Sequence, residues 1–395
     1  MRYGKDFFDR GMERHNTDCV KWDAKEICPD GAVPLWVADM DFPCAEPIVQ
    51  ALEERAAHPC YGYTRVTEKD TGYLCDFLWR RHALRVEAQQ TAMLPCVITG
   101  LRTAVRTFTN PGEDVLLLTP VYGPFYASVK ENERRVLECP LTKDQSGRYS
   151  IDFAQMESLL QKGVKLLMLC NPHNPVSRAW SREELQQVLD LTRKYHTVLA
   201  VDEIHAEFVY KPATFVSILH LACGEDRVVS FMSASKTFNI AGLQQAVMIS
   251  KNQQMLGEMQ RILNAAGGTC GNIFALAANQ AAFSACDDWL DGLMDYLDGN
   301  RKLLAEIVQK DFPDAVLTPI EATYLGWLDL SAYGMTVEKL TEICKKQGVA
   351  FTGGTVFGEA GEYHLRVNFG CPSSQLVEGM KRLKEAIEEE KSNVR

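Results

Sequence analysis

The sequence predicts an α/β fold: a large domain with a mostly parallel sheet covered by helices, followed by a smaller α+β domain. From about residue 92, short apolar runs alternate with amphipathic stretches, the pattern of strands and helices in a parallel sheet. The apolar runs are hydrophobic throughout, as expected for strands buried on both faces. After residue 291 the pattern changes to mixed strands and helices, which indicates the second domain.

The strands of the large domain are predicted from apolar, β-branched runs bounded by turns. They cover residues 96–99, 114–119, 135–140, 165–170, 197–202, 228–231 and 246–250. Helices are predicted at 101–109, at 181–196, from 281 to 310 as one long connector, and at 375–391. Ser181 with Glu184 three residues later has the form of a capping box, and Asn110-Pro111-Gly112 predicts a turn.

Composition excludes several classes of function. The chain has 395 residues, a net charge of −10 and ordinary proportions of hydrophobic (46%) and charged (24%) residues. An acidic chain repels phosphate backbones, so we expect no nucleic-acid partner. The longest apolar runs are strand-sized, so we expect no membrane span. The 13 cysteines are scattered without a Cys-x-x-Cys pair and no apolar leader opens the chain, which predicts reduced thiols, no metal site and a cytoplasmic location.

One lysine stands in an unusual setting. Lys236 follows the apolar run 228–232, within Ser233-Ala-Ser-Lys-Thr-Phe-Asn-Ile-Ala-Gly-Leu243. A lone lysine is usually a solvated surface charge, but small hydroxyl and apolar neighbours favour burial beside a phosphate. A buried lysine loses proton affinity and becomes a nucleophile for Schiff-base formation.

Three further residues follow predicted strands. Asp202 ends an apolar strand 34 residues before Lys236. It is either a cap or turn residue or a carboxylate at the ligand-binding edge of the sheet. In the second case it could hold a pyridine nitrogen in its protonated form. Asn174 lies in Asn171-Pro-His-Asn-Pro175, which alone indicates only a turn. Tyr122 could stack on a flat ring, although taken alone it would be read as a core aromatic.

Two more positions complete the pattern. Gly100 stands at a predicted strand-to-helix junction, where free N–H groups attract a phosphate. Arg366 lies in an apolar, strand-like run, and its guanidinium can bind a carboxylate through two N–H groups. Each feature alone is weak, but their joint occurrence indicates one site. Its members in chain order are Gly100, Tyr122, Asn174, Asp202, Lys236 and Arg366.

With these motifs the chain resembles the fold-type I pyridoxal-phosphate (PLP) enzymes of the class I/II aminotransferase superfamily, and more narrowly their cystathionine β-lyase (C–S lyase) branch. The resemblance covers essentially the whole chain, and the runs 36–42 and 236–243 are its most branch-specific parts. It is carried by Pro34-Leu-Trp-Val-Ala-Asp-Met-Asp-Phe42, Tyr61-Gly-Tyr-Thr64, Asn171-Pro-His-Asn-Pro175, Asp202-Glu-Ile-His205, Ser235-Lys-Thr-Phe-Asn-Ile-Ala-Gly-Leu243 and Arg366-Val-Asn-Phe-Gly-Cys-Pro372. It implies a large PLP-binding domain at 49–291 and a small domain made of 1–48 and 292–395.

The resemblance also implies roles for individual residues. Lys236 would bond the cofactor and move the substrate's α-proton, and Asp202 would pair with the pyridinium nitrogen. Tyr122 would stack on the ring and assist departure of the sulfur. Asn174 would contact the ring oxygen and the substrate, and Arg366 would bind the substrate's α-carboxylate. The backbone of Gly100, Leu101 and Arg102 would contact the phosphate, with Ser233 and Ser235 near it. Ala38 would lie on the loop that faces the substrate. His205 is either in the cofactor shell or a satisfied structural histidine.

The activity implied is α,β-elimination of an S-substituted L-cysteine, an amino-acid substrate, giving a thiol, pyruvate and ammonia. The resemblance also implies a homodimer with active sites at the subunit interface, in which Tyr63 reaches the neighbouring subunit's phosphate. Val176-Ser177 and Gln244 depart from the common aminotransferase pattern, and Gln244 agrees with the C–S lyase branch. Two alternatives stay open: an aminotransferase, which shares these motifs, and a protein-binding regulator that retains the enzyme fold.

Overall fold

The computed structural model describes residues 3–268 and 271–393, and its centre is a seven-stranded sheet. Side by side, the strands are Thr91–Leu94, Ala246–Ile249, Val228–Met232, Val198–Asp202, Leu166–Cys170, Asp114–Thr119 and Arg135–Pro140. The last five run parallel to one another, and Ala246–Ile249 is antiparallel to both of its neighbours. The prediction of a mostly parallel sheet is confirmed.

The parallel strands end along one edge of the central sheet, and helices cover its two faces. Strands Leu166–Cys170, Val198–Asp202 and Val228–Met232 are buried at every residue, as expected for a sheet covered on both faces. Within the described residues, the α-helices are Lys5–Asp9, Val20–Asp23, Glu46–Ala57, Glu68–His82, Val97–Phe108, Gly123–Lys130, Phe153–Leu160, Arg182–Lys194, Ala234–Thr237, Gln253–Ala265, Ile273–Ala285, Asp287–Asp311, Val337–Lys346 and Ser373–Asn393. None of the helices described is long and apolar enough to cross a membrane.

The predicted strand at 96–99 is wrong. The strand is Thr91–Leu94, and the β-branched residues after it begin the helix Val97–Phe108. Cys96 is extended and serves as the N-cap, and buried residues recur at helical spacing at 97, 101, 104 and 105. Burial of that helix face against the sheet outweighs the strand preference of single β-branched residues.

The long helix predicted from 281 to 310 is two helices. Ile273–Ala285 and Asp287–Asp311 meet at Cys286, whose φ of −121° and ψ of 17° interrupt the helical conformation. Two acidic residues follow at 287 and 288, a position that the positive end of a helix dipole favours. Hydrophobic periodicity does not detect a break of a single residue. By contrast, the capping box at Ser181 is confirmed, since the Ser181 side chain accepts from the backbone N–H of Glu184.

A second sheet lies in the C-terminal part of the chain. Its four strands, in spatial order, are Val316–Leu317, Leu325–Asp329, His364–Asn368 and Thr352–Gly353. Two-stranded pairs join Val33–Pro34 with Val349–Ala350 in parallel and Thr142–Lys143 with Tyr149–Ser150 antiparallel. The first pair attaches the N-terminal segment to the C-terminal part. The division into domains at 49–291 and at 1–48 with 292–395 stays a proposal, which this pairing supports.

Candidate active site

A pocket of about 300 Å³ opens at the carboxyl ends of the parallel strands. It is lined by Ala38, Cys96, Val97, Ile98, Tyr122, Cys170, Asn174, Asp202, Ile204, His205, Ser233, Ser235, Lys236, Ala241, Gln244 and Gln245. The fold thus brings together eight of the residues predicted from the sequence. Arg366 adjoins the pocket, because its Nη1 donates to Asn174 Oδ1 at 3.3 Å. A larger groove of about 1180 Å³ lies elsewhere and contains none of the predicted residues.

Lys236 lies in a helical turn that directly follows strand Val228–Met232. Ser233 is the N-cap residue of this turn, Ala234–Thr237, and its Oγ accepts from the N–H of Ser235. The Lys236 Nζ donates to the carbonyl oxygen of Ala38 at 2.5 Å. Burial lowers the pKa of Lys236 to about 8, although the nearby Asp39 carboxylate opposes this shift. The neutral, nucleophilic amine is therefore more abundant near neutral pH than in an ordinary lysine.

Asp202 is a buried carboxyl group that forms no ion pair within residues 3–268 and 271–393. It is the last residue of its strand, and its Oδ1 accepts from the N–H of Ile204 at 3.0 Å. Burial raises the pKa of Asp202 to about 7, against the opposing effects of that hydrogen bond and of Lys236. Among the described ion pairs none includes Asp202. A cation entering the pocket would therefore be stabilised here.

Arg366 is buried in strand His364–Asn368 without an acidic partner in the described part of the chain. Its Nη2 donates to Trp36 O at 2.8 Å and to Thr352 Oγ1 at 3.2 Å, and its Nε has no partner. Burial lowers the pKa of Arg366 to about 10, which leaves it charged at neutral pH. Because an uncompensated buried charge is costly, this guanidinium is suited to an anionic ligand.

His205 has a ring nitrogen without a partner. The residue is buried, and Nδ1 makes no hydrogen bond within the described residues. Burial lowers the pKa of His205 to about 3, helped by the charges of Lys236 and Arg366, so the ring is neutral. A satisfied structural histidine would have a partner at this atom, so the geometry favours the cofactor-shell interpretation. Burial also raises the pKa of Tyr122, which keeps its hydroxyl protonated.

The predicted phosphate contacts at Gly100, Leu101 and Arg102 require a correction. These residues lie inside the helix Val97–Phe108, where the Gly100 N–H donates to Cys96 O at 3.3 Å. The Arg102 side chain pairs with Glu131 at the surface. None of the three offers a free N–H to the pocket, because the helix uses those groups.

The free N–H groups lie one turn earlier. Val97 and Ile98 are in the first turn of this twelve-residue helix, they line the pocket, and no side chain caps the helix. The small size of Gly100 serves packing instead: a Cβ there would lie 2.6 Å from the Phe231 ring. The helical spacing of the buried residues after Cys96 was the sequence signal that could have located this turn.

Tyr63 is fully exposed and does not line the pocket of this chain. Its role toward a neighbouring subunit stays a proposal.

Sequence reasoning missed the residues that hold the segment Trp36–Phe42, here called the strap. Besides Lys236, the Ala38 carbonyl accepts from Tyr324 OH at 2.9 Å. Asn368 Nδ2 donates to Asp39 O at 2.7 Å, and Asn239 Nδ2 donates to Met40 O at 2.9 Å. Both asparagines stand in motifs quoted above, whereas Tyr324 carried no signal.

Comparison with known proteins assigns the family. The model of the family "Aminotransferase class I and II" matches residues 33–383. The chain belongs to the aminotransferase class I and II family. Within it, the chain is 38% identical over 391 residues to cystathionine beta-lyase PatB of Bacillus subtilis (strain 168), covering 96% of this chain and 99% of that protein.

Solved structures of the aminotransferase class I and II fold agree with this assignment. A PLP-bound putative aminotransferase from Clostridium difficile 630 superposes with a TM-score of 0.93 at 31% identity, covering 96% of this chain and 99% of that one. Cystalysin from Treponema denticola, whose structure contains pyridoxal 5'-phosphate, gives a TM-score of 0.92 at 31% identity, covering 96% and 98%. The predicted fold and superfamily are therefore confirmed.

Proposed function

We propose that this chain is a PLP-dependent C–S lyase that cleaves S-substituted L-cysteines by α,β-elimination, giving a thiol, pyruvate and ammonia. The observation that carries the reaction class is the 38% identity to a cystathionine beta-lyase over nearly the full length of both chains. The pocket geometry supports PLP and an amino-acid substrate, but aminotransferases share that geometry. The branch-specific runs of the strap and of 236–243 favour elimination.

The pocket residues fit PLP. The uncompensated carboxyl of Asp202 suits a protonated pyridine nitrogen, and the Lys236 amine suits covalent attachment to the aldehyde. The uncapped N–H groups at Val97 and Ile98, with Ser233 and Ser235, suit the phosphate. The unpartnered Nδ1 of His205 and the amide of Asn174 are available to the ring oxygen. When bound, PLP supplies an electron sink for the electron pair released at the substrate's α-carbon.

The chain's own residues perform the remaining steps. Arg366 binds the α-carboxylate through two of its guanidinium N–H groups, the unpartnered Nε–H among them, and so orients the Cα–H bond. Lys236 Nζ, with its lowered pKa, takes the proton from Cα. Tyr122, protonated because burial raises its pKa, donates its proton to the departing sulfur, and the proton that Lys236 took from Cα restores the Tyr122 hydroxyl. The enamine that remains is hydrolysed to pyruvate and ammonia.

The assembly and location belong to the same proposal. A homodimer would place Tyr63, which is fully exposed in the single chain, beside the neighbouring subunit's phosphate. A cytoplasmic location is supported by the cysteines, which are all free within the described residues.

The test combines absorbance with a product assay. Purified protein supplied with PLP should show the visible absorbance of lysine-bound PLP and release pyruvate from L-cystathionine. Lys236→Ala is the control: it should lose that absorbance and turnover while keeping the wild-type thermal midpoint. Bound PLP without pyruvate, together with activity on a 2-oxo acid acceptor, would replace the lyase with an aminotransferase. Absence of PLP binding would favour the protein-binding regulator.

A further inference from the structure

A partly buried cluster of two cations and two carboxylates joins the strap to the N-terminal segment. Lys21, fully buried, places Nζ 2.8 Å from Asp41 Oδ2, and Arg14 contacts Asp39 Oδ2 at 2.7 Å and Asp41 Oδ1 at 2.9 Å. The four charges sum to zero. Both carboxylates belong to the strap, which also lines the pocket through Ala38.

The two carboxylates differ in how completely they are satisfied. Asp41 accepts hydrogen bonds from four side chains: those of Arg14, Lys21, Trp22 and Gln375. Within the described residues, the Asp39 carboxylate accepts a hydrogen bond only at Oδ2, from Arg14. Its Oδ1 is buried without a hydrogen-bond partner, and Lys21 Nζ is 3.7 Å away. The Lys21 ammonium compensates part of the charge on Oδ1 at this distance, but the atom is left without the hydrogen bond that a buried acceptor normally has.

Lys236 approaches the same segment. Its Nζ donates to the carbonyl of Ala38, the residue directly before Asp39. The charged groups acting on Lys236 are Asp39 from the strap, Asp202 and Arg366 from two strands, and Lys21 from the N-terminal segment. The titratable neighbours His205, Tyr122 and Tyr324 are neutral because burial opposes their charged forms. Asp39 is the strongest of the charges and the main one that favours the Lys236 ammonium.

We propose that Asp39 is a positioning residue for Lys236: its carboxylate, held by Arg14, stabilises the ammonium form of Lys236 against the Ala38 carbonyl. This is where the side chain rests whenever it is not bonded to the cofactor. The inference rests on the proposed function in one respect, the use of Lys236 as the base. After Nζ has taken the proton from Cα, the new ammonium has a counterion and an acceptor at this position.

The test measures ionisation of Lys236 directly. Full-length, cofactor-free protein is acetylated briefly with dilute acetic anhydride at a series of pH values, and mass spectrometry gives the labelling midpoint of the Lys236 peptide. Asp39→Asn should lower this midpoint by about one pH unit, because the favourable charge is lost. Asp41→Asn is the matched control from the same cluster; it should reduce thermal stability and move the midpoint much less than Asp39→Asn does, because its effect reaches Lys236 only through Lys21.

A second variant is expected to shift the labelling midpoint in the opposite direction, which a general folding defect would not do. Arg14→Gln leaves Asp39 less neutralised, so the labelling midpoint should rise by about half a pH unit. Equal midpoints in wild type, Asp39→Asn and Arg14→Gln would overturn the proposal, as would equal shifts in Asp39→Asn and Asp41→Asn. Because labelling is independent of turnover, missing pyruvate with shifted midpoints would refute the lyase and leave this role of Asp39 intact.

Discussion

At the scale of single residues, the site contains an arginine and a carboxyl group that form no ion pair within the described residues. Arg366 is buried, its Nε has no partner, and no carboxylate lies within ion-pair distance in the described residues. Asp202 is buried and forms no ion pair in the described part of the chain, although the charge of Lys236 acts on it. Each such group costs free energy in the empty protein. Two of opposite sign in one place suit a ligand that carries both a carboxylate and a protonated ring.

Arg366→Met should separate binding from stability. Loss of the two N–H contacts should reduce kcat/KM for L-cystathionine about 100-fold, roughly 3 kcal/mol. The thermal midpoint of the cofactor-free protein should stay level or rise, because methionine fills the site without a buried charge. Steady-state kinetics and a thermal melt measure the two effects. A large drop in the midpoint with unchanged kcat/KM would make Arg366 a structural residue.

Asp202 gives a pH dependence with a definite sign. Its pKa is about 7 in the folded, cofactor-free protein and about 4 in an unfolded chain. Between these values the folded state holds the extra proton, so this group's contribution to stability is complete below about pH 4 and is lost as pH rises through 7. Urea unfolding at pH 5 and pH 8 should show this loss in the wild type and not in Asp202→Asn. An equal change in the free energy of unfolding between pH 5 and pH 8 in both proteins would contradict the raised pKa of Asp202.

At the scale of elements, the helix Val97–Phe108 shows how packing sets a boundary. Its first turn faces the pocket, and Gly100 lies against the sheet, where a Cβ would meet Phe231 and Leu94. The function of the glycine is close packing, which allows the helix start to approach the strand ends.

Two glycine substitutions in helices should therefore have opposite effects. Gly100→Ala should lower the free energy of unfolding by about 1–3 kcal/mol, because the added methyl overpacks the helix–sheet contact. Gly299→Ala, in helix Asp287–Asp311 with nothing within 4 Å of the new methyl, should raise it by up to about 1 kcal/mol through helix propensity. Denaturant titration measures both. A higher free energy of unfolding for Gly100→Ala would show that close packing at position 100 does not require glycine.

At the scale of the whole molecule, the proposed homodimer would add Tyr63 of one subunit to the pocket of the other. Tyr63 is fully exposed and absent from the pocket of its own chain. If it serves the neighbouring subunit, hybrid dimers formed from Tyr63→Ala and Lys236→Ala chains contain one site with both native residues. Co-expression should then restore pyruvate release well above that of either variant alone. Activity no greater than the average of the two homodimers would place Tyr63 outside the shared site.

The sequence by itself determined six of the seven strands of the central sheet and the chemistry at its edge. The strands Asp114–Thr119 and Arg135–Pro140 occupy the predicted residues, and Lys236 and Asp202 follow their strands as expected. Such features are local: an apolar run of strand length ends at a polar residue, and parallel strands bring those ends together. The family was likewise readable from contiguous motifs.

Only the tertiary structure decided which groups surround Lys236 and which remain without partners. Tyr324 reaches the Ala38 carbonyl across 286 residues of sequence, and Arg14 and Lys21 come to the strap from a segment without any chemical motif. The start of the helix at Val97 was also decided by packing against the sheet, against the strand preference of its first residues. These outcomes depend on which distant segments share one buried volume, and pairing of that kind leaves no periodic pattern in the sequence.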